Sequence, residues 1–202
     1  MKTGVAVFKH KDMGVYAFGA LCALRELGIQ IDCISVSSDS VLCGLLFQKG
    51  YSLNEGKTIY ETIIQQSEKK SDLWNEILKQ PDRNIVLVVC KEGRIYCNRG
   101  EGHNLFGKIV LEWDNLVLDN DGINDSCNKE QLFWVLNSMG AEKVICIEGE
   151  ESKYQQSIGK NPSFTLTASN GQNWQFLLND GYEQVMKRKN ELLDAIYFAG
   201  RY

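Results

Sequence analysis

Four consecutive polar residues, Ser37, Ser38, Asp39 and Ser40, stand between an apolar, β-branched run and an apolar run with helical spacing. A serine on a sharp strand-to-helix turn is held with its hydroxyl exposed. The N–H groups that open the following helix then face any negative charge forming beside it. That layout is a nucleophile elbow. The same residue types are ordinary helix N-caps, and the local pattern fits both readings. Two further polar turns follow apolar runs: Lys9-His10-Lys11-Asp12-Met13-Gly14 and Asp119-Asn120-Asp121-Gly122. His10 is one of only two histidines; it could donate to an anion or act as a base, or simply sit solvated in its loop. The same alternatives hold for His103, in a Gly-rich stretch. The run Gly102–Lys108 has neither the spacing of a phosphate-binding loop nor a Ser or Thr after its lysine.

The elements that must position these turns can be read from apolar periodicity. Gly4–Phe8 and Ile31–Val36 read as buried strands, joined by a helix over Val15–Leu27 that Gly28 stops. These form a βαβ unit. A helix follows the serine turn and ends near Gly50. Further helices are expected over 58–67 and 72–79, the second stopped by Pro81. Asn84–Cys90 reads as a central strand with a hairpin partner at Ile95–Cys97. Short strands are expected at 109–113 and 116–118, a helix over 129–139, a strand at 143–147, a small strand at 165–166 and a terminal helix over 179–197. Residues 98–108 and 149–162 read as loops. Strands alternating with helices imply an α/β fold with a mostly parallel sheet covered on both faces. Sites in such sheets form at the carboxyl ends of strands. All three polar turns follow a strand, so they are placed to meet in one crevice.

Composition narrows the partners. The 202 residues are 44% hydrophobic and 24% charged, enough for one α/β domain with a sizeable core. Two prolines and no linker-like stretch suggest a single domain over 1–202. A net charge of −4 without a Lys/Arg run argues against nucleic acid as a partner. Seven scattered cysteines, without a CxxC pair or a Cys/His cluster, read as reduced, buried apolar residues of a cytoplasmic protein, with no metal. No window reaches the length of a membrane span, and the amphipathic 58–80 region is not basic enough for a firm membrane-surface assignment.

The run from Gly4 to Ser52 resembles the start of patatin-like acyl hydrolases. In that family a strand feeds a GGGxxG oxyanion loop and a helix of the form GxYxxGxLxxLxExG; here the helix reads GVYAFGALCALRELG from Gly14 to Gly28. The family's IDxISGTSxGS segment is matched by IDCISVSSDSV, which puts Ser38 at the nucleophile position. A second match covers LVLDNDGI and LNSMGAEKVICI, with Asp121-Gly122 at the place of the catalytic aspartate motif. The terminal NDGYEQVMKRKNELL is similar to the family's last helix. The resemblance implies a three-layer fold and lipid acyl-ester hydrolysis, with Ser38 as nucleophile, Asp121 as base and Lys9, His10, Lys11 and Gly14 in the oxyanion loop. It implies no cofactor, an acyl-ester or lipid substrate and peripheral contact with a membrane.

The departures fall on the chemistry. Of the oxyanion glycines only Gly14 persists, and the elbow glycines have become Val36 and Ser40. Glycines there let N–H groups turn inward and the backbone approach the substrate. Asp39 adds a negative charge beside the nucleophile. The spacing from Ser38 to Asp121 is also short for the family, implying a small acyl pocket. Two outcomes therefore stay open: a hydrolase with impaired turnover, or an inactive patatin-like fold serving as a binding module.

Overall fold

A computed structural model describes residues 1–8, 14–37, 40–65, 70–91, 94–98, 129–149, 162–168 and 173–198. Six strands form one sheet: β1 (Thr3–Val7), β2 (Cys33–Ser37), β3 (Val86–Lys91), β4 (Arg94–Cys97), β5 (Lys143–Gly149) and β6 (Phe164–Ala168), in the order β4-β3-β2-β1-β5-β6. All pairs are parallel except β3–β4, the expected hairpin. The helices are α1 (Val15–Glu26), α2 (Val41–Lys49), α3 (Leu53–Gln65), α4 (Lys70–Lys79), α5 (Lys129–Ser138), α6 (Trp174–Lys187) and α7 (Lys189–Leu193), followed by a π-helical turn, Asp194–Phe198. Among the described residues no helix is long and apolar enough to cross a membrane. The strands expected at 109–113 and 116–118, and all but residues 98, 149 and 162 of the loops expected at 98–108 and 149–162, lie outside the described residues.

Strand alternation divides the core into two layers. Val5, Val7, Ile34, Val36, Leu87, Val89, Ile145 and Ile147 face one side, packed under α1, α2 and α6. Ala6, Phe8, Cys33, Val88, Cys90, Val144 and Cys146 face the other, packed under Leu132, Phe133, Val135 and Leu136 of α5. The Ser35 hydroxyl, buried on that second face, donates to the Leu132 carbonyl at 3.2 Å and pins α5 to β2. The result is a mostly parallel sheet between helical layers, the three-layer α/β fold expected from the sequence.

Two helix starts differ from the sequence reading, and each has a cap as its cause. α3 begins at Leu53 rather than Thr58 because Ser52 and Glu55 form a capping box. The Glu55 carboxylate accepts from the Ser52 N–H and hydroxyl, both at 2.7 Å, and Ser52 Oγ accepts from the Glu55 N–H at 3.3 Å. α6 begins at Trp174 rather than Asn179 because Asn173 Oδ1 accepts from the Gln175 N–H at 2.8 Å. The expected single terminal helix is also broken at Arg188. Its guanidinium lies 4.3 Å from the Phe164 ring centroid and donates to the Thr165 carbonyl, tying the break to β6.

The capping box gives a testable pH dependence. The Ser52 hydrogen bonds hold the Glu55 carboxyl below the usual glutamate range. A depressed carboxyl contributes stability that is full above its unfolded pKa and is lost as pH falls through the folded one. Ser52→Ala should therefore cost about 1 kcal/mol at neutral pH. That difference should shrink in acid, as measured by urea denaturation of both proteins across the acidic range.

Candidate functional site

The chain leaves β1 for β2 and β3 on one side, and later supplies β5 and β6 on the other. The order therefore switches between β1 and β5, with α1 over one face and α5 over the other. A crevice at the carboxyl ends of strands at such a point is where an open α/β sheet receives a ligand. A small cleft lies there, lined by Val7 and Phe8 from the end of β1, Ile147 and Glu148 from β5, and Gly14 and Tyr16 at the start of α1.

Of the residues singled out in the sequence, Gly14 is described. Lys9, His10, Lys11, Ser38, Asp121 and His103 lie outside the described residues. The flanks of two of the three polar turns are described, and they touch. Phe8 precedes the 9–13 stretch and Gly14 follows it; Ser40 follows 38–39. The Ser40 hydroxyl donates to the Phe8 carbonyl through a long hydrogen bond of 3.4 Å. Gly14 has φ +73°, and a Cβ there would stand 3.2 Å from the Ser40 Cα and 3.0 Å from the Cys43 sulfur. The left-handed backbone and the crowded space both select glycine. Ser40 occupies the N-cap position of α2, but its side chain makes no cap hydrogen bond. The hydroxyl instead ties the serine turn to the end of β1.

Val36, at the position where the resemblance expects an elbow glycine, is accommodated from the helix side. Val36 is fully buried on the α1–α2 face of β2, away from the α5 face. Gly44 of α2 sits over it: a Cβ on Gly44 would lie 3.3 Å from Val36 Cγ1 and 2.6 Å from Leu87 Cδ1. The missing side chain at Gly44 lets α2 approach β2 and β3 closely.

The α5 wall of the crevice was not anticipated from sequence. The Lys129 ammonium, at the first residue of α5, pairs with Glu148 Oε2 at the end of β5, and both side chains are nearly buried, at 9% and 8% exposure. The same ammonium stands 5.4 Å from the centroid of the Phe8 ring, a cation–π contact. The Cys146 thiol contacts Glu148 Oε2 at 3.8 Å. Burial, reinforced by the Glu148 charge, pushes this thiol far above its ordinary range, so it stays protonated. Phe8 and Phe133 meet edge to face beside the pair. A glutamate ending the apolar run KVICI is the one signal in the sequence that could have marked it.

On the opposite wall, Tyr16 links three elements. Its hydroxyl donates to Gln184 Oε1 at 2.9 Å, with the Thr167 carbonyl at 3.3 Å. Burial, with Asp180 adding to it, raises this phenol well above the usual tyrosine range. Tyr16 is thus a neutral anchor between α1, α6 and β6 rather than an acid–base group. The six described cysteines are free; all are buried except Cys97, which is partly exposed.

No family model matches the chain, and no curated protein does. Among solved structures, it is similar to one described as the heterodimeric complex ExoU–SpcU from the type III secretion system of Pseudomonas aeruginosa. The match has a TM-score of 0.53 at 13% identity and covers 96% of this chain. It covers 52% of the other chain, so this chain spans about half that protein's length. At this identity the likeness is one of fold, and it agrees with the three-layer architecture described above.

Proposed function

We propose that this chain is a slow acyl-ester hydrolase of the patatin-like kind. Ser38 is the nucleophile and Asp121 the base, and Lys9, His10, Lys11 and Gly14 surround the oxyanion. The observation that carries this reading is the junction of Phe8, Gly14 and Ser40, which joins the flanks of the serine turn and of the 9–13 turn at one edge of the sheet. Ser38 Oγ attacks the ester carbonyl as its proton passes to Asp121, and the alcohol leaves with that proton. Water then hydrolyses the acyl-enzyme. N–H groups opening α1 and α2 supply positive potential to the oxyanion. Each lost oxyanion donor costs about a hundredfold or more in rate, roughly 3–4 kcal/mol, so turnover is low. The substrate class is a carboxylic ester, either a phospholipid or another acyl ester, reached by peripheral contact with a lipid surface. The chain acts without a cofactor or nucleic acid, in the cytoplasm, where thiols such as the six free cysteines among its described residues stay reduced.

The rewritten 9–13 stretch favours a second reading, a patatin-like fold that binds without hydrolysing. A panel of p-nitrophenyl esters of short and long acyl chains, with phospholipid vesicles alongside, separates the two. Wild-type turnover should fall about a hundredfold or more in Ser38→Ala and in Asp121→Asn. Equal rates in wild type and Ser38→Ala would remove the hydrolase reading and leave the binding module.

A further inference from the structure

Among the described residues β6 ends the sheet on one side. Edge strands are ordinarily protected from pairing with another chain by charged side chains or proline. β6 reads Phe-Thr-Leu-Thr-Ala, uncharged, without proline and rich in strand-forming residues. β4, at the other end, opens instead on the exposed Arg94.

The direction of the backbone groups follows from the hydrogen bonds around β5. The Val144 N–H donates to Ser163 Oγ at 3.4 Å, and its carbonyl accepts from the Ser163 N–H at 2.8 Å. Val144 therefore turns towards β6, and so do Cys146 and Glu148, the alternate residues that follow it. Ile147, between them, turns to β1, where its carbonyl accepts from the Phe8 N–H at 2.9 Å. Cys146 stands opposite Thr165, and Glu148 opposite Thr167. Parallel strands bond a residue to the two that flank its opposite neighbour. Phe164, Leu166 and Ala168 thus face β5, and Thr165 and Thr167 face outward.

Both outward carbonyls are occupied by side chains of other elements. Arg188 Nη1 donates to the Thr165 carbonyl at 2.9 Å, and the Tyr16 hydroxyl stands 3.3 Å from the Thr167 carbonyl. Each of these side chains is itself held. Glu191 accepts from Arg188 Nε at 2.9 Å and from Nη2 at 2.5 Å, and the guanidinium lies 4.3 Å from the Phe164 ring centroid. Tyr16 donates to Gln184.

We infer that Arg188 and Tyr16 form a closure on the β6 edge that keeps a second copy of this chain from adding its own β6. The strand is self-complementary. Laid antiparallel about a two-fold axis at Leu166, two β6 strands set Thr165 of each opposite Thr167 of the other. Both pairs are then of the kind that exchanges two N–H···O=C bonds. The carbonyls used are the two that the closure occupies. Thr–Thr contacts across the strands add to the pairing, and a two-fold pair of identical edges closes on itself. The inference stands apart from the Ser38 reading.

The test opens the edge and then blocks it again. Arg188→Met keeps an apolar stem over Phe164 and removes every donor; Tyr16→Phe removes the hydroxyl and keeps the ring. By light scattering across a concentration series, the double variant should rise to twice the wild-type mass. Thr165→Pro takes away an outward N–H that no ladder bond uses, a place where an edge strand tolerates proline. Added to the double variant, it should return the mass to the wild-type value. A double variant no larger than wild type at any concentration would overturn the inference. So would a larger species that Thr165→Pro leaves intact, since the copies would then meet elsewhere. A wild-type oligomer that Thr165→Pro takes apart would also overturn it, because the edge would be open despite the closure. Should the double variant fail to fold by circular dichroism, Arg188→Met alone uncovers the Thr165 carbonyl and is read in the same way.

Discussion

Gly19→Ala and Gly181→Ala are each expected to destabilise the protein by about 3 kcal/mol or more, at the upper end of what overpacking costs. In an exposed helix the same change would gain up to about 1 kcal/mol, because alanine is the better helix former. Here the sign is reversed by what the new methyl group meets. A Cβ on Gly19 of α1 would lie 2.0 Å from the Leu178 carbonyl oxygen of α6, and a Cβ on Gly181 of α6 would lie 2.1 Å from the Tyr16 carbonyl oxygen of α1. Both obstacles are backbone, so no side-chain rotation relieves them. The helices must separate, and the packing of Tyr16, Ala20, Leu177 and Leu178 loosens with them. At about 2–4 °C per kcal/mol for a chain of this size, each variant should melt roughly 6–12 °C lower. The double variant should lose less than the sum of the two, because one separation accommodates both methyl groups. Thermal and urea denaturation of the three variants checks this. Unchanged melting in either single variant would mean that α1 and α6 do not meet backbone to backbone.

Lys129→Met is the second large effect. It leaves the Glu148 carboxylate nearly buried without its cation, and breaking such a pair from one side costs about 3–5 kcal/mol. Lys129→Met/Glu148→Leu removes both charges, and replacing a whole buried pair by apolar residues is neutral or stabilising. The double variant should therefore recover most of the loss. A double-mutant cycle from urea denaturation reads the coupling directly. Additive losses would show that the two residues do not form a buried pair.

The sequence made the strand and helix alternation legible because each strand is a short apolar run and each helix has one apolar face. The motif around Tyr16 and Gly19 could be matched by resemblance, but its reason appears only in three dimensions. Gly19 meets the backbone of α6 at Leu178, and Tyr16 reaches Gln184 on the same helix. The early start of α3 was present in the sequence as Ser52 and Glu55 at capping-box spacing. Gly56 and Lys57 interrupt the apolar pattern there, and the cap outweighs that interruption. The Lys129–Glu148 pair was not legible, since a lysine and a glutamate far apart in the chain meet only through the docking of α5 on the sheet. Of the proposed machinery, Gly14 lies among the described residues, beside the flanks Phe8 and Ser40; its oxyanion role is part of the proposal. Lys9, His10, Lys11, Ser38 and Asp121 remain assigned by resemblance, and their roles are the proposal made above.

The most direct measurement is fluorophosphonate labelling of the folded protein, with the modified residue located by peptide mass spectrometry and Ser38→Ala as control. The account predicts slow, saturable labelling on Ser38 that is absent from the alanine variant. It also predicts labelling weakened in Asp121→Asn, where the base is lost. Folded wild-type protein that takes up no probe at high concentration, or takes it up equally in Ser38→Ala, would contradict the serine hydrolase.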